Sequence, residues 1–468
     1  MTHARQVAIA LALITALKMV LASQIELTSL EAYYWLYGRH PALGYFDHPA
    51  LVGWMTWLST ALFGSTTLGV RLLPIAGGTL GAWLTFLAAR KLYDENTGRL
   101  AALLVALVPM TFMNSTQATP DAPLILFWSA TLWALAHALS GGTRWWYAAG
   151  AFLGAAMLSK YNGVFLAVGT AGFAAFSPEH RGWLKRKEPY LAVLVALALF
   201  SPTLLWNAQN GWRSFAYQGV DRFAEHAFKA KYLVEFPGTQ LALVTPIVCL
   251  WAWGAGLRTL VRWRASLWQD RLGASLALPL LLFIVALVSI RSVRGHWTAP
   301  AYTAAFVLAA AVVVRGGVWG RRLHAVTLAL CALAWLAAPV VFALTPAEQR
   351  APWAALAAEV RARRPDFVVA RDYHDAAQMG WHLRPVESVD FSAIGRGGKA
   401  FPDWWQPAVH VGQRAVVVFP AKDYPNEMEA LRRDFERVGE PETVAITRFG
   451  GRQETFVLVV AEGYRRRP

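Results

Sequence analysis

Blocks of about twenty uncharged, apolar residues recur along this chain, and that length constrains its folding more than any other feature. Stretches such as 241-LALVTPIVCLWAWGAGL and 321-RRLHAVTLALCALAWLAAPVVFAL approach or reach the ~20 residues that carry an α-helix across a bilayer. A soluble core has no use for such lengths. Composition agrees: 56% of the residues are hydrophobic and 16% charged, against roughly a quarter charged in an average soluble domain. The excess apolar surface must face lipid.

The sequence predicts eleven spans, near 7–24, 67–89, 100–116, 122–140, 145–159, 163–177, 190–206, 237–256, 273–290, 297–314 and 323–344. A formal charge of +15 raises the question of nucleic acid. Arg and Lys, however, collect in alternate short connections: Arg90, Lys91 and Arg99; Arg144; Arg181, Lys185, Arg186 and Lys187; Arg258, Arg262, Arg264 and Arg271; Arg315, Arg321 and Arg322. That pattern marks the cytoplasmic side of a membrane protein rather than a phosphate groove. With Arg5 on the same side, the 25–66 segment and a 207–236 loop are expected outside. A cleaved signal peptide is the competing reading of residues 1–24.

The odd number of spans places the tail, 346–468, on the outer face as well. There the long apolar blocks stop. Short β-rich runs at 366-DFVVARD, 413-QRAVVVFP and 454-ETFVLVV alternate with helical stretches such as 426-NEMEALRRDFERV, predicting a small α/β domain. The expected organisation is a membrane domain over 1–345, with interfacial helices in its 25–66 outer loop, followed by the outer domain. The two cysteines, Cys249 and Cys331, lie inside apolar segments, so the sequence offers no disulfide framework or cysteine metal cluster.

The loop 26-ELTSLEAYYWLYGRHPALGYFDHPALVGWM mixes acids, aromatic residues and a His-Pro pair. Helical spacing puts Glu31, Tyr34, Trp35 and Arg39 on successive turns, as in an amphipathic helix at the membrane surface, with Trp54 and Trp57 extending the aromatic belt. Interfacial anchoring explains the aromatic residues but not Glu31, Asp47 and His48. An acid beside a membrane is costly, which marks it as a functional candidate. Asp121 at a helix start also reads as an end-stabilising residue, and both roles can coexist. Lys160 also reads as a snorkelling side chain, the alternative being a cation that pairs with a phosphate. Arg291, Arg294 and His296 form a cationic set on the side where positive charge is scarce. Asp47, His48 and Glu31 could hold a divalent cation, though their spacing is not diagnostic. Lys18 and His137 read as packing or snorkelling residues.

The strings EAYYWLYGRH and GYFDHPALV resemble the first outer loop of bacterial members of glycosyltransferase family 39, which includes lipid A aminoarabinose and galacturonic acid transferases and protein O-mannosyltransferases. Four further stretches agree in order: 119-TPDAPLILFW, 158-LSKYNGV, 201-SPTLLWNAQNGWRSFAYQ and 294-RGHWTAPAY; in the tail, 371-RDYHDAAQMGWHLRP and 403-DWW look similar to the family's outer domain. The resemblance implies a mainly α, polytopic GT-C fold with a periplasmic α/β domain in a bacterial inner membrane. It implies transfer of a sugar from a polyprenyl phosphate to a hydroxyl of an envelope glycolipid, polysaccharide or protein. Glu31, Asp47 and Asp121 are then the candidate catalytic residues, and Tyr34, His48, Lys160, Tyr161, Arg291, Arg294 and His296 the candidate substrate-binding ones. The sequence departs from the family at Leu30, where an Asp usually precedes the Glu. Either another carboxylate takes the base's place, or the chain is a non-catalytic relative. A transporter or flippase is the rival from another class, but no internal repeat supports it.

Overall fold

In hydrocarbon every backbone polar group must be satisfied within its own segment, so an apolar block of this length becomes a helix. The computed structural model describes residues 3–219, 230–391 and 399–465. Among these, seven helices have the length and apolarity to cross a bilayer: His3–Gln24, Thr67–Leu92, Asp121–Leu139, Glu188–Gln209, Trp268–Val288, Gly295–Arg315 and Val318–Leu344.

All eleven expected segments are helical, but four are short or broken. The 100–116 segment divides into Glu95–Leu107 and Pro109–Asn114, because Pro109 has no N–H to continue the ladder. The 145–159 and 163–177 segments become helices of 15 and 13 residues, about 22 and 20 Å long at 1.5 Å per residue. The expected 237–256 span is corrected to two helices, Ala230–Val244 and Pro246–Val261, bent by 109°. Thr245 sits at the bend with a φ of 69°. Counting that bent pair as one span gives up to eight.

Two compact units emerge. The first comprises Met1–Ala22, Ala42–Gly64 and Leu68–Ala337. Its interior is continuous, running through Phe86, Trp128, Leu132, Tyr302 and Phe306. Small residues set the closest approach: a Cβ on Gly150 would lie 2.3 Å from the carbonyl oxygen of Ala192, and one on Gly154 2.7 Å from that of Ala196. These helices pack backbone to backbone, the usual device where lipid supplies no hydrophobic drive. Connections expected in the cytoplasm are tied by ion pairs, Arg271 to Glu179 at 2.5 Å and Arg315 to Asp270 at 2.8 Å.

The second unit comprises Ser23–Pro41, Ser65–Thr67 and Ala338–Pro468. Its sheet has the order β2-β1-β3-β6-β4, from β1 (Phe367–Ala370), β2 (Glu387–Asp390), β3 (Ala415–Pro420), β4 (Phe435–Val438) and β6 (Gln453–Tyr464), while β5 (Glu442–Thr447) also pairs with β6. β1 runs parallel to β2 and β3, and β6 antiparallel to β3. The expected helix over 426–438 ends at Asp434, and Phe435–Val438 is strand β4 instead; its Phe435 is buried, which favours pairing with β6.

The Ser29–Arg39 helix belongs to this unit. Seven of its eleven residues are buried, so it does not present a wet face and an apolar one. Gln378 donates to the carbonyl of Leu27 at 2.8 Å, and the Tyr33 ring meets that of Tyr373 at 4.9 Å. Trp35 and Trp381 meet edge to face at 5.1 Å.

Candidate active site

Asp121 opens the Asp121–Leu139 helix but does not cap it: the preceding Pro120 makes no side-chain cap, and the Asp121 carboxylate turns elsewhere. Lys160 donates to both of its oxygens, at 2.8 and 2.9 Å. The lysine follows the Trp145–Ser159 helix in extended conformation, after which Tyr161–Gly163 form one tight turn. That placement pulls Lys160 inward, with its side chain 11% exposed and that of Asp121 4%. It does not snorkel.

His296 adds a second nitrogen, its Nε2 3.9 Å from Asp121 Oδ2. The indole of Trp297 lies 5.8 Å from Lys160 Nζ, a cation–π contact that keeps the ammonium in a partly dry site. His48 is close enough to Asp121 to act on it electrostatically. Its neighbour Asp47 is 2% exposed and acts on Tyr161 in the same way. The Tyr45–His48 turn closes through Tyr45 N–H to the His48 carbonyl at 3.0 Å. A glycine at 53 is required there, since a Cβ would fall 2.2 Å from the Tyr45 hydroxyl.

The 201–218 segment completes the site. Asn207 is fully buried, and its Oδ1 accepts from the Phe215 N–H at 3.3 Å, fixing the turn that follows the helix. From that turn Ser214 pairs with the Tyr161 hydroxyl at 2.7 Å, and Gln218 donates to the Asp47 carbonyl at 2.6 Å. Of the expected 207–236 loop, residues 220–229 lie outside the described residues, and 230–236 are corrected to the start of the Ala230–Val244 helix. An apolar groove of about 390 Å³ runs between Leu51, Trp54, Leu73, Leu80 and Phe127 and reaches Ala122, next to Asp121.

Six candidates from the sequence therefore converge: Asp47, His48, Asp121, Lys160, Tyr161 and His296. Arg294 is exposed and acts electrostatically on His296, while Arg291 is half-buried. Glu31 and Tyr34 lie in the second unit. There Glu31, fully buried, is the third residue of a capping box: its Oε2 accepts from the Thr28 N–H at 2.9 Å, and Thr28 Oγ1 accepts from the Glu31 N–H at 3.3 Å. Tyr34 packs edge to face on Tyr37 at 5.4 Å.

Sequence reasoning passed over Asn207, Ser214, Gln218 and Trp297, all within strings already singled out by their resemblance. It also set aside Lys18, which is buried, donates to Ser115 Oγ at 2.6 Å and lies 4.8 Å over the Phe112 ring. Among the described residues, no group of three His, Cys, Asp or Glu side chains is arranged to hold a metal ion.

The fold is that of the GT-C membrane glycosyltransferases. The chain is similar to the crystal structure of ArnT from Cupriavidus metallidurans bound to undecaprenyl phosphate, with a TM-score of 0.68 over 97% of this chain and 98% of that one, at 16% identity. Residues 47–206 match the protein family described as dolichyl-phosphate-mannose-protein mannosyltransferase. Among curated proteins, the chain is 27% identical to the lipid A galacturonosyltransferase RgtD of Rhizobium johnstonii over 60% of this chain and 59% of that one. It is 31% identical to an undecaprenyl phosphate-alpha-4-amino-4-deoxy-L-arabinose arabinosyl transferase of Pseudomonas aeruginosa over 53% of this chain and 38% of that one. The matched regions thus span between about two fifths and three fifths of these relatives.

Proposed function

We propose that the chain is an integral membrane glycosyltransferase that moves a sugar from a polyprenyl phosphate to a hydroxyl of lipid A or another envelope glycolipid, polysaccharide or protein. The observation that carries this reading is the cluster of one buried carboxylate and three nitrogen-bearing side chains, Asp121 with Lys160, His296 and His48, one residue along the chain from Ala122 in the wall of an apolar groove. A polyprenyl phosphate has the matching form, an apolar tail ending in an anion. The names of the relatives, which include an undecaprenyl-phosphate-dependent transferase and a lipid A transferase, support the same donor and acceptor classes.

In the reaction the bond between the sugar's anomeric carbon and the phosphate oxygen breaks, and a bond from that carbon to the acceptor oxygen forms. The acceptor proton passes to a carboxylate, and negative charge grows on the departing phosphate. Lys160, with Arg294 nearby, supplies positive charge, and the imidazoles of His48 and His296 can donate N–H bonds to the same oxygens. Asp121 is committed at both oxygens to Lys160, so it positions that ammonium. Asp47 is the candidate base. The distribution of Arg and Lys supports an inner-membrane protein with this site and the second unit on the periplasmic side.

The test is transfer by purified protein from a short-chain polyprenyl phosphate sugar to an envelope glycolipid extract. Donor consumption with appearance of a glycosylated acceptor is expected; absence of both, in protein that remains folded, would overturn the reading.

A further inference from the structure

Within the second unit a cavity of about 770 Å³ is lined wholly by that unit's own residues. Its size falls inside the ~300–1,000 Å³ range of small-molecule sites. Three features say what would fill it. The first is charge: Arg39 and Arg384 both line the cavity, and among the described residues neither has a carboxylate partner. Arg384 is held in place, stacked 4.0 Å over the Trp381 ring and donating to the Ser65 carbonyl at 3.1 Å. The carboxylate that is present, Glu387, is taken by His410 Nε2 at 3.0 Å.

The second feature is a flat aromatic wall. Trp404 stacks on His40 with ring centres 4.8 Å apart and planes 9° from parallel. Beside it Trp405 stacks on His410 at 4.2 Å and 12°. The third is unmet hydrogen bonding. Trp405 and Ser388 line the cavity at 6% and 7% exposure, and the Trp405 Nε1 and Ser388 Oγ atoms are buried with no hydrogen-bond partner. Buried polar atoms in native structures are rarely left so.

An acyl chain would leave two guanidinium groups and these polar atoms unmatched. A bare anion would leave the indole wall unused. A pyranose offers a face of C–H bonds for an indole, hydroxyls for polar atoms, and, when phosphorylated or carboxylated, an anion for the planar fork of an arginine. We infer that this cavity binds an anionic saccharide, a sugar ring carrying phosphate or carboxylate, as part of the acceptor's headgroup. The word acceptor rests on the glycosyltransferase reading; the binding site does not.

The experiment is calorimetric titration of the full chain in detergent with a water-soluble, ring-phosphorylated glucosamine disaccharide. Its dephosphorylated counterpart and inorganic phosphate are titrated in parallel. Binding of the phosphorylated sugar is expected to be at least about tenfold tighter than that of either control, and about tenfold weaker in Arg39→Gln, with Arg39→Lys intermediate. Arg39 is exposed, and thermal melting of each variant verifies folding. Equal affinity for the neutral sugar or for inorganic phosphate, or an Arg39→Gln variant that binds like wild type, would overturn the site. Donor consumption is measured on the same preparation. Turnover without the expected saccharide binding refutes this inference alone, whereas binding without turnover supports the site and refutes the enzyme reading.

Discussion

Lys160 and Asp121 form a two-pronged ion pair, both carboxylate oxygens within 2.9 Å of one ammonium, across 39 residues of sequence. Both side chains are nearly buried. Stripping one partner from such a pair leaves a charge with neither water nor counter-ion, at a typical cost of 3–5 kcal/mol. Asp121→Asn and Lys160→Met should therefore each melt well below wild type in detergent. The Asp121→Asn/Lys160→Met double variant, with no charge left stranded, should recover most of the loss while remaining inactive. If the double variant's loss equals the sum of the single losses, the pair is uncoupled and the positioning role given to Asp121 fails.

The assignment of the base separates two carboxylates. Asp47→Asn should lower transfer by about 10²–10⁴-fold, the usual cost of losing a general base. Glu31→Gln should stay within about tenfold of wild type, because glutamine serves equally at the third position of a capping box. Steady-state transfer rates of both variants decide it. The reverse ranking would move the base to Glu31.

What could be read in the sequence follows from which forces are local. The His3–Gln24 and Glu188–Gln209 helices were legible because lipid solvation acts on each apolar block by itself. So were the cores of β1, β3 and β6, whose Val-rich runs are buried. The bend at Thr245–Pro246 left a proline as its sign, but apolarity runs unbroken across it and hides the turn. At the site, residue types were legible and partners were not. Asp121 also offered grounds for helix capping, and only tertiary packing turns its carboxylate to Lys160. Gln218 and Trp404 carry no periodic signal at all, since each gains its place from chain segments more than 150 residues away.

Orientation is open to a direct test, because both native cysteines, Cys249 and Cys331, are buried and should stay silent to a membrane-impermeant thiol reagent. Single cysteines placed at exposed Gln406 and Arg452 in the second unit should label in intact spheroplasts, and one at exposed Arg186 only after lysis. Labelling of the Arg186 position from outside would reverse the topology and move the proposed site to the cytoplasm.

Asp375 gives the second unit a pH signature. It stands in the first turn of the Tyr373–Leu383 helix, behind the capping Asp372, where a helix end ordinarily favours negative charge. Burial outweighs that, and Asp372, Glu454 and Asp423 add repulsion against a partial offset from Arg448, so its carboxyl is pushed up to about 7. In the unfolded chain the same group ionises near the ordinary 3.8. Between these values the folded state holds a proton that the unfolded state has released, so folding stability falls as pH rises through this window and levels off above about 7. Asp375→Asn removes the ionisation but keeps the shape. Its stabilising effect should be small at pH 4.5, where little of the penalty has developed, and largest at pH 8. Melting temperatures of wild type and variant at the two pH values, in the same detergent, measure it. An equal shift at both values, or a variant that melts lower than wild type at pH 8, would show that Asp375 is ionised and satisfied in the folded protein.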